Sequence, residues 1–284
     1  MSSPNIKLFH ANWSLCSQMV RVALYEKGLN FSEKHIKLCD QYPEGENLCK
    51  DFLRLNPLGT VPVIKINEKV TYDSVKIIRE LDKIQGGNDI NLCNNDFQNS
   101  QSWVLNTTIT EGVKFASTIG TILPVFSAPL IQSMVKSLPL KSILKILLKH
   151  PRRDRKIIFL SMYFFGIAKN MPKAGIKNFV KELVNLENIL SDQNEFFYGD
   201  FSHVDINMMC LFHRLKDLQL EDALYTNRTP LIKNYWESLK NRESYKMGIL
   251  DYYSDKEYKI LGKFYQNQSS IFLKPIIEKL TASI

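Results

Sequence analysis

VPVIKINEKVTYDSVKIIREL, residues 61–81, carries two short strand-like runs separated by Asn67-Glu68-Lys69 and then changes to helical spacing. VPVIKI and VTYD read as the two strands of a hairpin, and SVKIIREL as the helix that follows. The proline at the mouth of the first strand has two readings. A cis Val61-Pro62 bond would turn the Val61 backbone outward to pair with an extended, peptide-like ligand, whereas a trans proline would mark an edge strand. Asp73-Ser74 at the helix start also reads two ways. It is either a plain N-cap or a site where the Ser74 N–H and hydroxyl bind a carboxylate and Asp73 accepts from an ammonium.

Toward the N-terminus, residues 5–10 read as a strand, SQMVRVALYEKG as a helix stopped by Gly28, NFSEKHIKL (30–38) as a half-buried strand, and CKDFLRLNP (49–57) as a short helix closed by Asn-Pro. The order βαβ-α-ββα suits a four-stranded mixed sheet of the thioredoxin-like kind, with the first helix N-terminus facing the ligand. HANWSLCS places Ser14 and Cys16 just ahead of, or in the first turn of, a helix expected to begin near Ser17. Unsatisfied N–H groups and the positive end of the helix dipole stabilise an anion there, and a thiol ionises more readily. Either side chain can support a bound thiolate or act as nucleophile. The alternative for Cys16 is an inert, buried thiol.

Past residue 86 the composition shifts. GGNDINLCNNDFQN (86–99) is rich in Gly, Asn and Asp, which makes 87–96 a linker between a domain over 1–86 and a second over 97–284. Helical periodicity then dominates, in QSWVLNTTITEGVKFAS, AGIKNFVKELVNLENILSD, VDINMMCLFHRLKDL and PLIKNYWESLKNRESYKMG. A hydrophobic and basic insert occupies about 120–170. Its uncharged run FASTIGTILPVFSAPLIQSMV (115–135) approaches bilayer-spanning length, but Pro124, Pro129 and the Ser, Thr and Gln residues mark it as a buried helix end and loop. PLKSILKILLKHPRRDRK (139–156) reads as a basic, amphipathic surface helix, either a solvated cover for the bundle or a peripheral contact with an anionic membrane. It lacks the interleaved aromatics of a nucleic-acid platform.

The 284 residues, 44% hydrophobic, suffice for two cores, and the net charge of +8 admits nucleic acid, a membrane surface or small anions. Five cysteines, at 16, 39, 49, 93 and 210, are odd in number and form no CxxC pair, which points to a reducing, cytoplasmic compartment. Cys210 falls on an apolar face, His203 and His213 read as structural, and no combination of His, Cys and acid has metal-ligand spacing.

SLCSQMVR, TVPV and YDS follow one another in an order and spacing that resembles the glutathione transferase superfamily, and the resemblance runs nearly the whole length. It implies a thioredoxin-like domain followed by an all-helical bundle, glutathione as co-substrate, a small electrophile as second substrate, and a homodimer with neither metal nor nucleic acid. By the same resemblance Thr60, Val61 and Pro62 form the turn that binds the cysteine backbone of glutathione, and Asp73-Ser74 binds its γ-glutamyl end. Thr60 stands where many relatives place a Lys or Gln that reaches the glycine carboxylate. Gly199, Ser202 and Asp205 are similar to the family's buried helix cap, in which Ser202 and Asp205 cap each other. SLCSQMVRVALYEKG is most similar to the tetrachlorohydroquinone reductive dehalogenase branch, while SQMVR and the long inserts also resemble the ganglioside-induced differentiation-associated group. The dehalogenase resemblance implies that Ser14 stabilises the glutathione thiolate and that Cys16 takes the sulfur of a conjugate into a mixed disulfide. The alternative of another class is a non-catalytic relative that presents the basic insert to a membrane or protein partner.

Overall fold

The computed structural model describes residues 4–93, 97–108, 115–166, 170–191 and 193–282. The end of the expected linker, 94–96, the middle of the first expected bundle helix, 109–114, and insert residues 167–169 lie outside the described residues. The chain divides into one compact unit of residues 1–90 and 128–167 and a second of 91–127 and 168–284.

The first unit is built on a four-stranded sheet of β1 (Ile6–His10), β2 (Ser32–His35), β3 (Val63–Ile66) and β4 (Lys69–Tyr72), in the order β2-β1-β3-β4. β1 runs parallel to β2 and antiparallel to β3, which is antiparallel to β4, so the sheet is mixed as expected. Three helices complete this part: α1 (Leu15–Glu26), α2 (Lys50–Leu55) and α3 (Ser74–Asp82), with α1 packed beside α3. α1 starts two residues before the expected position because Ser14 caps it, its side chain accepting from the Ser17 N–H. It stops at Gly28, whose φ of 61° is the left-handed conformation that glycine adopts without a Cβ penalty. Gly28 N donates to Tyr25 O and Leu29 N to Leu24 O, the paired bonds of a Schellman ending.

Next along the chain come α4 (Phe97–Asn106), in the second unit, and α5 (Ile119–Lys136). α5 differs from the expected helix end and loop, since it continues through Pro124 and Pro129. Each proline removes one backbone donor. Ile122, Leu123, Val125, Phe126, Ala128 and Leu130 are all buried, so packing holds the helix where local propensity would end it. α5 is long and apolar enough to cross a membrane by length and composition alone, yet 61% of it is buried within the protein.

The segment 139–156 is likewise two elements rather than one helix: α6 (Leu140–Lys149) and α7 (Arg153–Phe164). Pro151 forces the break, leaving His150 extended at φ −64° and ψ 126°. The inner sides of this insert make a core of Val135, Leu138, Ile143, Ile146 and Phe159 against Cys39 and Leu48, on the loop that follows β2. Lys145 Nζ donates to the Glu44 carbonyl on the same loop.

The second unit is helical: α8 (Asn170–Ile189), α9 (His203–Asp217), α10 (Pro230–Lys240), α11 (Glu243–Gly248), α12 (Asp255–Tyr265) and α13 (Leu273–Ala282), besides α4. α8 packs on α13, and α9 on α4 and α10. The run 230–248, expected as one helix, breaks at Asn241-Arg242 into α10 and α11. The capping pair stands as expected. Asp205 accepts from Ser202 N at 2.8 Å and Ser202 Oγ at 2.7 Å, and also from Phe197 N at 2.9 Å and the Tyr235 hydroxyl at 2.6 Å. Burial pushes the Asp205 carboxyl up in pKa while these donors oppose that shift. Replacing Asp205 by Ala strands four buried donors. Urea denaturation is expected to show a loss of about 3 kcal/mol for Asp205→Ala, and an unchanged midpoint would contradict the network's structural role.

Candidate functional site

Strand register brings the separated motifs to one end of the sheet. Phe9 pairs with Val63, so the register carried one residue further sets His10 beside Pro62. Val63 also pairs with Tyr72, which sets Asp73 beside Pro62 from the other side. His10 pairs with His35 at the same end. Here β1, β2 and β4 finish, β3 begins, and the N-termini of α1 and α3 follow directly from β1 and β4.

At the first of these helix starts, Ser14 is the N-cap of α1, with φ −76° and ψ 121°. Its Oγ accepts from Ser17 N at 3.4 Å, which leaves the hydroxyl proton to donate to a ligand. Cys16 is the second residue of the helix, half-buried, in a first turn without acidic residues. The early N–H groups of the helix lack intrahelical acceptors, so the position favours an anion.

The loop that carries Ser14 is held from behind by a residue that motif reading passed over. Arg21 is fully buried on α1. Its Nη1 donates to the Ala11 carbonyl at 3.3 Å and to His10 Nδ1 at 3.1 Å, and its Nη2 donates to the Asn12 carbonyl at 3.0 Å. Ala11 N in turn donates to Ser17 Oγ at 3.3 Å. His10 is pushed down to about 3, first by burial and then by the charges of Arg21 and His35, and is therefore neutral at physiological pH. Nδ1 accepts from Arg21, so the proton sits on Nε2, 3.4 Å from the Glu33 carboxylate. The signal available in sequence was a single charged residue inside the apolar run MVRVAL.

The second motif lies in the turn before β3. Val61-Pro62 is cis. The Val61 side chain packs against the cluster of Ile36, Phe52 and Val63, and its backbone lies just outside the β3 ladder. Thr60 is tied down, since Asn56 Nδ2 donates to its carbonyl at 2.8 Å and its Oγ1 at 2.9 Å. Asn47 Nδ2 donates to the Gly59 carbonyl at 2.9 Å. Asn47 and Asn56 are buried and fix this turn, and neither was singled out from sequence.

At the third position Asp73 has φ 82° and ψ 120°, a left-half conformation that costs a non-glycine residue on the order of 1–3 kcal/mol. Its carboxylate accepts from Lys76 N at 3.1 Å, capping α3, while Asp73 itself is exposed. Ser74 is buried as the first residue of α3. The five cysteines do not share one character. Cys39 is pushed up to about 12 by burial, which keeps it a thiol, whereas Cys16 stands at a helix start.

Residues 13–84 match the family model described as Glutathione S-transferase, N-terminal domain. Over 277 residues the chain is 23% identical to Glutathione S-transferase TCHQD of Arabidopsis thaliana, covering 88% of this chain and 91% of that one. Over 81 residues it is 28% identical to tetrachloro-P-hydroquinone reductive dehalogenase of Sphingobium chlorophenolicum, 28% of this chain and 32% of that protein. Glutathione S-transferase 1 of Dianthus caryophyllus is 41% identical over 78 residues, 28% of this chain, so this match too spans about a third, 34%, of the relative's length. Among solved structures, the beta-etherase LigF of Sphingobium sp. strain SYK-6 superposes with a TM-score of 0.71 at 19% identity, over 86% of this chain and 98% of that one. The fold expectation is met, and the reductive dehalogenase among these relatives agrees with the branch that SLCSQMVR resembles.

His10 gives a direct check on the loop. Its lowered pKa means that the stability it confers is complete above the unfolded value near 6.5 and is lost, by about 1.4 kcal/mol per pH unit, as pH falls toward 3. In NMR titration of the folded protein the His10 ring is expected to stay neutral from about pH 8 to about pH 5. A midpoint near 6.5 would show that the Arg21–His10 contact is not formed.

Proposed function

We propose that this chain, whose residues 13–84 are a glutathione S-transferase N-terminal domain within a glutathione transferase fold, is a cytoplasmic, homodimeric, glutathione-dependent enzyme that acts on small electrophiles or their glutathione conjugates in detoxification. The observation that carries this reading is the convergence at one sheet end of the capped α1 start, the cis Val61-Pro62 turn and Asp73 held at positive φ. In this reading residues 1–86 hold glutathione and 97–284 supply the second-substrate side.

The residues suit the tripeptide. The α1 N-terminus and the Ser14 hydroxyl take the thiolate, the Val61 backbone pairs with the cysteine residue, and Ser74 and Asp73 take the carboxylate and ammonium of the γ-glutamyl end. Thr60 departs from this set. Its hydroxyl is engaged by Asn56, and it offers no cation for the glycine carboxylate.

Ser14 lowers the energy of the glutathione thiolate by donating to it, and that thiolate attacks the electrophilic carbon, whose leaving group departs as an anion with the electron pair of the broken bond, to form a thioether. Cys16, ionised beside the same helix start, then attacks the thioether sulfur. The carbon–sulfur bond breaks, its electron pair stays with carbon and takes a proton, and a Cys16–glutathione disulfide forms. A second glutathione thiolate attacks that disulfide, releasing oxidised glutathione and restoring Cys16. The carbon is reduced, and two glutathione sulfurs are oxidised.

The roles separate on mutation. Cys16→Ser is expected to abolish reduction and leave conjugate formation intact, and Ser14→Ala to lower conjugation by about a hundredfold. Mass spectrometry of the enzyme after a turnover lacking the second glutathione should find one glutathione on Cys16. An adduct found only on another cysteine overturns the assignment. Failure to bind glutathione-agarose overturns the enzyme reading itself.

A further inference from the structure

The outward side of α6 and α7 has no part in glutathione chemistry. Leu140, Leu144 and Leu148 recur every fourth residue on α6 and are 63%, 50% and 79% exposed. At about 100° per residue they make one stripe, the exposed Lys141 and Lys149 flank it about 100° around the helix with Lys145 between them bonded to the Glu44 carbonyl, and the buried Ser142, Ile143 and Ile146 face inward. On α7, Ile157 and Phe164 stand seven residues apart on one side and are 67% and 62% exposed, followed by Phe165 at 87%. Residues 139–156 hold seven Lys and Arg against one acid, Asp154, which Arg152 pairs. A leucine left in water on every turn, in so basic a setting, is an interaction surface rather than scattered exposure.

Charge selects the occupant. A second copy seated through a twofold axis would bring these basic residues against each other. A nucleic acid would meet the cations and leave the leucines with nothing apolar. An anionic lipid surface answers both, because leucine, isoleucine and phenylalanine enter the acyl boundary while lysine and arginine stay at the phosphate level.

We propose that the outer faces of α6 and α7 dock on the surface of an anionic bilayer, as a peripheral anchor that lies in the interface and does not span it. The anchor is independent of the glutathione site. The inner face of the same insert is occupied by packing on Cys39 and Leu48, so the two faces have separate tasks.

Flotation of the full-length protein with vesicles of phosphatidylcholine alone, or with about 30 mol% phosphatidylserine at about 0.1 M salt, tests this. Binding is expected with phosphatidylserine and at least tenfold weaker without it. Lys149→Ala with Arg153→Ala should weaken binding about 30-fold, at about fivefold per basic residue near the surface. Leu144→Gln with Leu148→Gln should weaken it about tenfold or more, and Leu148→Gln alone serves if the pair perturbs folding. All the substituted side chains are solvent-facing, so circular dichroism and turnover of a soluble electrophile should match wild type. Equal binding to both vesicles, no binding to either, or sensitivity to the basic pair but not to the leucines overturns the proposal. So does retention on polyglutamate without vesicle binding.

Discussion

The site end of the first unit depends on one buried cation. Arg21 gathers two carbonyls of the β1–α1 loop and the ring of His10, and so sets the path by which the chain leaves the sheet and enters α1. Four residues separate the end of β1 from the first helical residue, too few for the loop to find this path by its own packing. A buried guanidinium is expensive unless its donors are met, and here that requirement works in favour of order, because the acceptors it needs belong to the loop it must hold. The neutral His10 ring belongs to the same bargain. A protonated ring would place a second cation against Arg21 and withdraw one acceptor.

Mixed strand direction does the rest. Because β3 runs against β1 and β4 runs against β3, the starts of α1 and α3 both fall at the end of the sheet where β3 begins. Two helix N-termini lie at this one end, neither with an acidic first turn, although the Asp73 carboxylate already caps the second.

Much of this was legible in the chain. Period-two and helical patterns placed β1 to β4 and α1 to α3 within a few residues, and Ser14, Val61-Pro62 and Asp73-Ser74 stand out because each is a turn or cap of the local backbone. What escaped reading depends on side-chain bonds across loops, between 4 and 12 residues apart, which no periodic pattern displays. Arg21 shows in the sequence only as one charge inside MVRVAL, without the acceptors that hold it, and Asn47 and Asn56 show their value only when Gly59 and Thr60 come back beside them. α5 misled for the opposite reason, since its prolines speak locally while the burial that overrides them is tertiary. The break at Pro151 was written in the sequence, and the amphipathic pattern running through 139–156 hid it.

The insert also changes what the loop after β2 is. In a shorter chain Cys39 and Leu48 would look out on water, but here they floor a core whose walls are Val135, Leu138, Ile143, Ile146 and Phe159. Trimming 128–167 to the length of a compact relative would therefore uncover an apolar floor beneath the cavity it left. A shortened chain would need new polar residues at 39 and 48 before it could stay in solution. The extra length is masonry, and the loop after β2 has been built to lean on it.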